Sequence, residues 1–186
     1  SGEFPATGLS VSYSSAGGAG LLGRGFALSG VSVVERCGSQ VVADGFARGV
    51  QFDDEDKLCL DGVPLVLISG KYGGDGAVYA AAGDDGSRVV GQGAAVDQGS
   101  GFEVVRPDGL RLRLGGEGTV LGRKGEVAVP LRWSVVSEVD RLGNETSFRY
   151  SKDMGAAGMV DGNHRLTAVW FGRNWKAGID ASREIH

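Results

Sequence analysis

Histidine and cysteine each occur only twice in 186 residues, and proline four times. Neither His164 nor His186 has a ligating neighbour at metal-binding spacing. No Gly-x-Ser-x-Gly elbow, Cys-x-x-Cys pair or phosphate loop ending in Lys-Ser or Lys-Thr is present. The side-chain sets of hydrolases, redox proteins and nucleotide-dependent enzymes are thus missing. The expectation is no enzyme, with no catalytic, cofactor-binding or metal residues. Lys and Arg number 19 against 23 Asp and Glu, and no five or six bases cluster, so the electrostatic footprint of a nucleic-acid binder is missing too. Apolar runs are short, such as residues 64–68, far below the ~20 residues needed to cross a bilayer. No stretch has the pattern of a signal peptide. Scarce proline, and glycine that does not recur at every third position, exclude collagen.

What the chain has in quantity is glycine, 34 residues, beside a hydrophobic fraction of 41%. Each glycine in a helix interior costs about 0.5–1 kcal/mol relative to alanine, so helix bundles and coiled coils are excluded. The length suits one domain. Apolar residues instead alternate with polar ones: Leu9, Val11 and Tyr13 with Ser10, Ser12 and Ser14, and Leu110, Leu112 and Leu114 with Arg111 and Arg113. Alternation with a period of two marks a strand with one wet face. Residues 31–37, 58–60, 65–69, 101–106, 131–140, 146–151 and 166–171 are further predicted strands, most with β-branched or aromatic content.

Between them lie Asp44-Gly45, Asp61-Gly62, Asp75-Gly76, Asp85-Gly86, Asp108-Gly109, Asp161-Gly162 and Gly143-Asn144. Such pairs accept the positive φ angles of tight reversals. Pro107-Asp108-Gly109 and Gly143-Asn144 mark the two clearest hairpins. Residues 83–100, poor in bulky side chains, are predicted as a loop or a weakly held strand. The predicted fold class is all-β: curved antiparallel sheet built from many short strands and hairpins.

Three motifs have mundane readings. Gly18-Ala19-Gly20-Leu21-Leu22-Gly23 has dinucleotide-fingerprint spacing, but the helix that must follow is interrupted by Gly25 and Gly30, so it reads as a bend between strands. Asp53-Asp54-Glu55-Asp56 lacks the glycine of a calcium loop and reads as a solvated turn. Cys37 and Cys59 sit near strands and permit a disulfide, which would add about 3 kcal/mol through chain entropy. Two buried free thiols are the alternative.

An ordered series of short motifs then carries a resemblance. It comprises Leu9-Ser10-Val11-Ser12-Tyr13-Ser14-Ser15, residues 17–20, Leu22-Gly23-Arg24-Gly25-Phe26-Ala27-Leu28-Ser29-Gly30 and Val34-Glu35-Arg36-Cys37. It continues with Gly49-Val50-Gln51-Phe52-Asp53, Asp56-Lys57-Leu58-Cys59-Leu60-Asp61-Gly62 and Leu67-Ile68-Ser69-Gly70-Lys71-Tyr72-Gly73. Phe102-Glu103-Val104, Pro107-Asp108-Gly109, residues 133–139, Asp140-Arg141-Leu142-Gly143-Asn144 and Phe148-Arg149-Tyr150 extend it. The series resembles the N-terminal region shared by SpvB-type virulence proteins, the TcaC-like B components of bacterial insecticidal toxin complexes and related Rhs/YD-repeat proteins. It runs from residue 8 to residue 171.

The resemblance implies a non-enzymatic stretch of β-shell in a secreted or cell-surface bacterial toxin, enclosing a toxic C-terminal segment. The implied partners are the remainder of the parent chain, that toxic segment and other copies of the module by self-association, with no nucleic acid and no membrane insertion. No ADP-ribosyltransferase or other enzyme role is carried onto these residues. Ser1-Gly2-Glu3-Phe4 reads as a cloning scar and Ile185-His186 falls in mid-pattern. Residues 1–7 are therefore expected to be a lead-in, and residues 8–186 one module taken from a longer chain. The rival expectation, a surface adhesin or carbohydrate-binding module, would use Trp133, Trp170, Trp175, Tyr72 and Tyr79.

Overall fold

The structure is a computed structural model. It describes the backbone of residues 2–4, 9–13, 19–20, 23–24, 26–39, 48–53, 56–83, 86–154, 160–174, 176–180 and 183–185. Side chains are described for residues 30–39, 48–53, 56–83, 86–151, 164–174 and 176–180.

Strands β1 (Gly2–Phe4), β2 (Leu9–Tyr13), β3 (Ala19–Gly20), β4 (Gly23–Arg24) and β5 (Phe26–Ser29) open the chain. The first, second and fifth form a three-stranded antiparallel sheet, while β3 pairs with β4. Of the fingerprint-like glycines, Gly20 and Gly23 thus lie opposite each other in a strand pair and open no helix, while Gly18 lies outside the described residues.

The main body follows as β6 (Val33–Cys37), β7 (Lys57–Leu60), β8 (Val63–Ser69), β9 (Val78–Ala81), β10 (Arg88–Gln92), β11 (Gly101–Val105), β12 (Arg111–Lys124) and β13 (Val127–Val139). Each pairs antiparallel with the next, and β13 pairs back onto β6 through Trp133 and Val34, which closes an eight-stranded barrel. Only a short stretch of β13 is used in that closure. Its last residues pair instead with β14 (Asn144–Met154), followed by β15 (Val160–Asn174) and β16 (Arg183–Ile185), so the sheet runs on past the barrel.

The turns do what their residues dictate. Asp61 and Gly62 take φ of 51° and 81° between the paired Leu60 and Val63, the type I′ geometry that Asp-Gly favours. At the β11–β12 hairpin, Gly109 N–H donates to Arg106 O at 2.9 Å. At the β13–β14 turn, Asp140 accepts from the Asn144 amide side chain and from the backbone of Leu142 and Asn144. Those donors, led by Asn144, hold its carboxyl below the usual carboxylate range.

An eight-stranded barrel leaves an interior just wide enough to be filled by side chains. Alternate residues fill it: Val34, Leu58, Leu60, Leu65, Tyr79, Val89, Phe102, Val104, Leu112, Leu114, Trp133 and Val135. Trp133, 0% exposed, is its centre. Its ring meets Phe102 edge-on at 4.9 Å, and its Nε1 donates to Ser100 Oγ at 3.1 Å. The apolar cluster continues into the extension through Phe148, Tyr150 and Val169.

Two expectations need correction. Of residues 83–100, predicted as a loop or a weakly held strand, Arg88–Gln92 is a strand firmly paired on both edges, with Val89 0% exposed, while 93–100 is a hairpin loop. The apolar alternation breaks at Gly91, where an added Cβ would come within 3.1 Å of Gly74 O, so packing demands the residue that hides the pattern. Asp161-Gly162 is no reversal either. It lies inside β15, where a register shift between Lys152 and Met154 absorbs the extra residues. Asp44-Gly45 lies outside the described residues.

The hairpin loops 70–77 and 93–100 have one design, 23 residues apart. Gly74 N–H donates to Lys71 O at 2.9 Å and Ala77 N–H to Gly74 O at 3.3 Å. Asp97 N–H to Ala94 O at 2.8 Å and Ser100 N–H to Asp97 O at 3.0 Å repeat the pair. The loops dock together, Ala95 N–H on Gly73 O at 2.8 Å, and cover one end of the barrel.

Candidate functional site

Under those loops an arginine sits where β6 alternation calls for an apolar residue. Arg36 donates from Nε to Pro130 O at 2.8 Å and from Nη2 to Ala95 O at 3.0 Å. Its Nη1 donates to Asp53 O at 2.9 Å and to Asp56 Oδ2 at 3.2 Å. The two side chains are 3% and 1% exposed. Asp56 also accepts from Gln51 N–H at 2.8 Å, and Arg48 pairs with Asp53. The acidic run read as a solvated turn therefore supplies, at Asp56, half of a buried polar plug, while the half-buried Asp53 lends it a backbone carbonyl. The overlooked signal was Arg36 itself, a charge at an inward position between Val34 and the barrel end. Asp54 and Glu55 lie outside the described residues. Among the described residues no group of three or more His, Cys, Asp or Glu could hold a metal ion.

The opposite end carries a second cluster. Arg106 pairs with Asp61 at 2.7 Å and donates to Ser32 Oγ at 3.0 Å, while Asp61 accepts from Val33 N–H at 2.8 Å. Glu138, opposite the buried Leu112, faces these charges. Burial pushes its carboxyl up to about 7, with Arg106 opposing and Asp61 adding to the rise. An acid raised in the folded state binds protons more tightly than in the unfolded chain. Its stabilising share is complete at low pH and is lost as pH climbs through about 7. Glu138→Gln is expected to raise stability at pH 8 by about 1–3 kcal/mol and to change it little at pH 5. Urea unfolding of both proteins at the two pH values checks this.

The outer surface offers the features through which other chain segments could attach. Along the outward row of β8, Val66 and Ile68 are exposed, Ile68 to 64%. At the end of the extension, Leu142 (73%) and Ile179 are exposed together, tied by Asn174, which donates its side-chain amide to Leu142 O and its N–H to Ile179 O. The outer edge of β15 pairs with β16 only at residues 169–171, so residues 161–168 have no pairing partner on that side among the described strands. Unpaired edges and apolar patches are where further strands and surfaces dock.

The residues singled out from sequence fall in separate places. Cys37 and Cys59 form a disulfide on the outer face of β6 and β7, Cα–Cα 6.0 Å. Of the aromatic set, Trp133 and Tyr79 are buried in the barrel. Tyr72 is half-buried, its hydroxyl accepting from Leu58 N–H at 2.7 Å. Trp170 is half-buried with the Arg149 guanidinium 5.1 Å from its ring centre. Trp175 and His186 lie outside the described residues. His164 is in β15 rather than a turn, stacked on Tyr150 at 4.5 Å, and buried. These aromatics form no common face: two are core and two lie in different parts of the surface.

A closed eight-stranded antiparallel barrel whose sheet runs on into an open-edged extension defines the class of this chain as an all-β barrel fold. The particular relatives agree with that class. The N-terminal domain of effector protein SpvB from Salmonella typhimurium strain LT2 is similar over 88% of this chain, with TM-score 0.61 and 20% identity. TcdB2-TccC3-Cdc42 matches at TM-score 0.63 and 15% identity, and the Photorhabdus luminescens Tc holotoxin pore at 0.62 and 15%, each over 88% of this chain. The chain therefore has the fold found in the SpvB N-terminal domain and in Tc toxin chains, as the sequence resemblance implied. It spans 58% of the SpvB chain and 8% of the Tc chains. No protein-family model matches the sequence, and no curated protein matches it significantly.

Proposed function

We propose that this chain is a non-enzymatic wall module of a secreted or cell-surface Rhs/YD-repeat toxin, part of a β-shell that encloses a toxic C-terminal segment. The barrel is the rigid foot and the extension is the place where the wall continues. The observation that carries this reading is the divided edge of β13: residues 132–134 close the barrel on β6, while residues 137–139 send the sheet outward into β14, β15 and an edge with room for another strand. The solved relatives support it, since in the Tc structures a unit of this fold is a small fraction of a much longer chain. The partners in this reading are the following strands of the same parent chain and the enclosed segment. The isolated module is expected to self-associate through the same edge.

Hydrogen exchange tests the reading. Outward-pointing amides of residues 161–168 are expected to exchange at least about tenfold more slowly in the parent chain than in the isolated 186-residue chain diluted until it is monomeric, because a neighbouring strand pairs with them. Equal rates in the two would overturn it.

A further inference from the structure

Where the sheet turns from the barrel wall into the extension, an open groove of about 460 Å³ lies on the outer surface, floored by glycines of β11 and of the 115–118 bulge. The floor is low because the strands approach closely there: a Cβ on Gly101 would stand 2.5 Å from Leu114 O. Arg113, Arg149 and Arg173 line the groove with Glu117 and Glu145.

These five charges are not equivalent. Arg149 is paired with Glu117 at 2.8 Å, and Glu145 accepts from Ser137 Oγ at 2.9 Å. Arg113 and Arg173 have neither an ion pair nor a side-chain hydrogen bond among the described residues. Both guanidinium groups line one hollow in a chain of net charge -4, outside ion-pair range of Glu103 and Glu145, which stand opposite them across the strand pairs. Guanidinium forks favour planar, bidentate oxyanions.

We propose that this groove is a recognition site for a carboxylate side chain of a polypeptide segment, held by Arg113 and Arg173. The charge of the whole lining favours a monoanion. Three arginines against two glutamates leave the groove one net positive charge, which a carboxylate balances and a phosphate dianion exceeds. An acidic sugar would lack a stacking partner, since no aromatic ring lines the groove among the described residues and the neighbouring Trp170, opposite Ser147, has the Arg149 guanidinium over its ring. The site does not depend on the wall reading and would stand without it.

The test is fluorescence anisotropy of a labelled Gly-Ser-Glu-Gly-Glu-Ser-Gly peptide with the 186-residue chain at about 50 mM salt, where screening is weak. Its Gln-for-Glu counterpart, inorganic phosphate and glucuronic acid are the comparison arms. Arg113→Gln/Arg173→Gln is expected to weaken peptide binding at least about tenfold while leaving Tm unchanged, because neither side chain holds another part of the fold. Arg123→Gln, on β12 outside the groove, is expected to bind as the wild type does. The Gln peptide is expected to bind at least about tenfold more weakly than the Glu peptide, and phosphate and glucuronic acid to compete no better than acetate. Equal binding of the two peptides, unchanged affinity in the double variant, or stronger competition by phosphate or glucuronic acid would overturn the assignment.

Discussion

Trp133→Ala is expected to lower the free energy of unfolding by about 3–5 kcal/mol, the range for removing a buried tryptophan and leaving a cavity behind. The ring is fully buried, packs edge-on against Phe102, satisfies its one donor on Ser100, and lies on the strand that pairs with both β12 and β6. A domain of this size holds only about 5–15 kcal/mol in total. The variant should therefore unfold at much lower urea, and Trp133→Phe, which keeps most of the packing, should lie between it and wild type. A loss under about 1 kcal/mol would mean that the barrel is not packed around this residue.

Asp56→Ala is expected to cost a similar amount, about 3–5 kcal/mol, because it leaves the Arg36 guanidinium buried beside backbone carbonyls with no counter-charge. The attraction between the two is not the source of that cost; the stranded charge is. Arg36→Met/Asp56→Ala should therefore lose less than the sum of its single variants, with a coupling above about 1 kcal/mol in a double-mutant cycle. Additive losses would show that the two side chains act independently and that the plug is not a unit.

What was legible in the sequence was local. Alternation placed β2 and the start of β12, β-branched or aromatic content placed β6 and β11, and Asp61-Gly62, Pro107-Asp108-Gly109 and Gly143-Asn144 placed reversals where they occur. What was hidden depends on contacts distant in the chain. β12 is 14 residues long, but the glycines at 115, 116 and 118 interrupt its alternation. They are there because the strand bulges: a Cβ on Gly115 would lie 2.9 Å from the Gly101 Cα. β9 is four residues, Val78-Tyr79-Ala80-Ala81, whose two large side chains are adjacent, so no alternation marks it. Closure into a barrel rests on three residue pairs between β6 and β13, about a hundred positions apart, which no local pattern encodes. Asp56 looked like surface because its partner, Arg36, is 20 residues earlier.

The same division explains the candidate attachment surface. The exposed valine and isoleucine of β8 were visible as apolar residues, but their outward direction follows from pairing with β9, Val66 opposite Ala80. The groove arginines were visible as surface charges, and only the folding of β14 and β15 beside β12 and β13 brings Arg113 and Arg173 to one hollow.

The central claim is that the sheet leaving β13 continues into the rest of a container. A cryo-electron microscopy map of the full parent chain tests it most directly. The account predicts a strand hydrogen-bonded along residues 161–168, with Leu142 and Ile179 covered and the barrel built into an unbroken wall. A map with this barrel tethered as a separate bead, its β15 edge facing solvent, would contradict it.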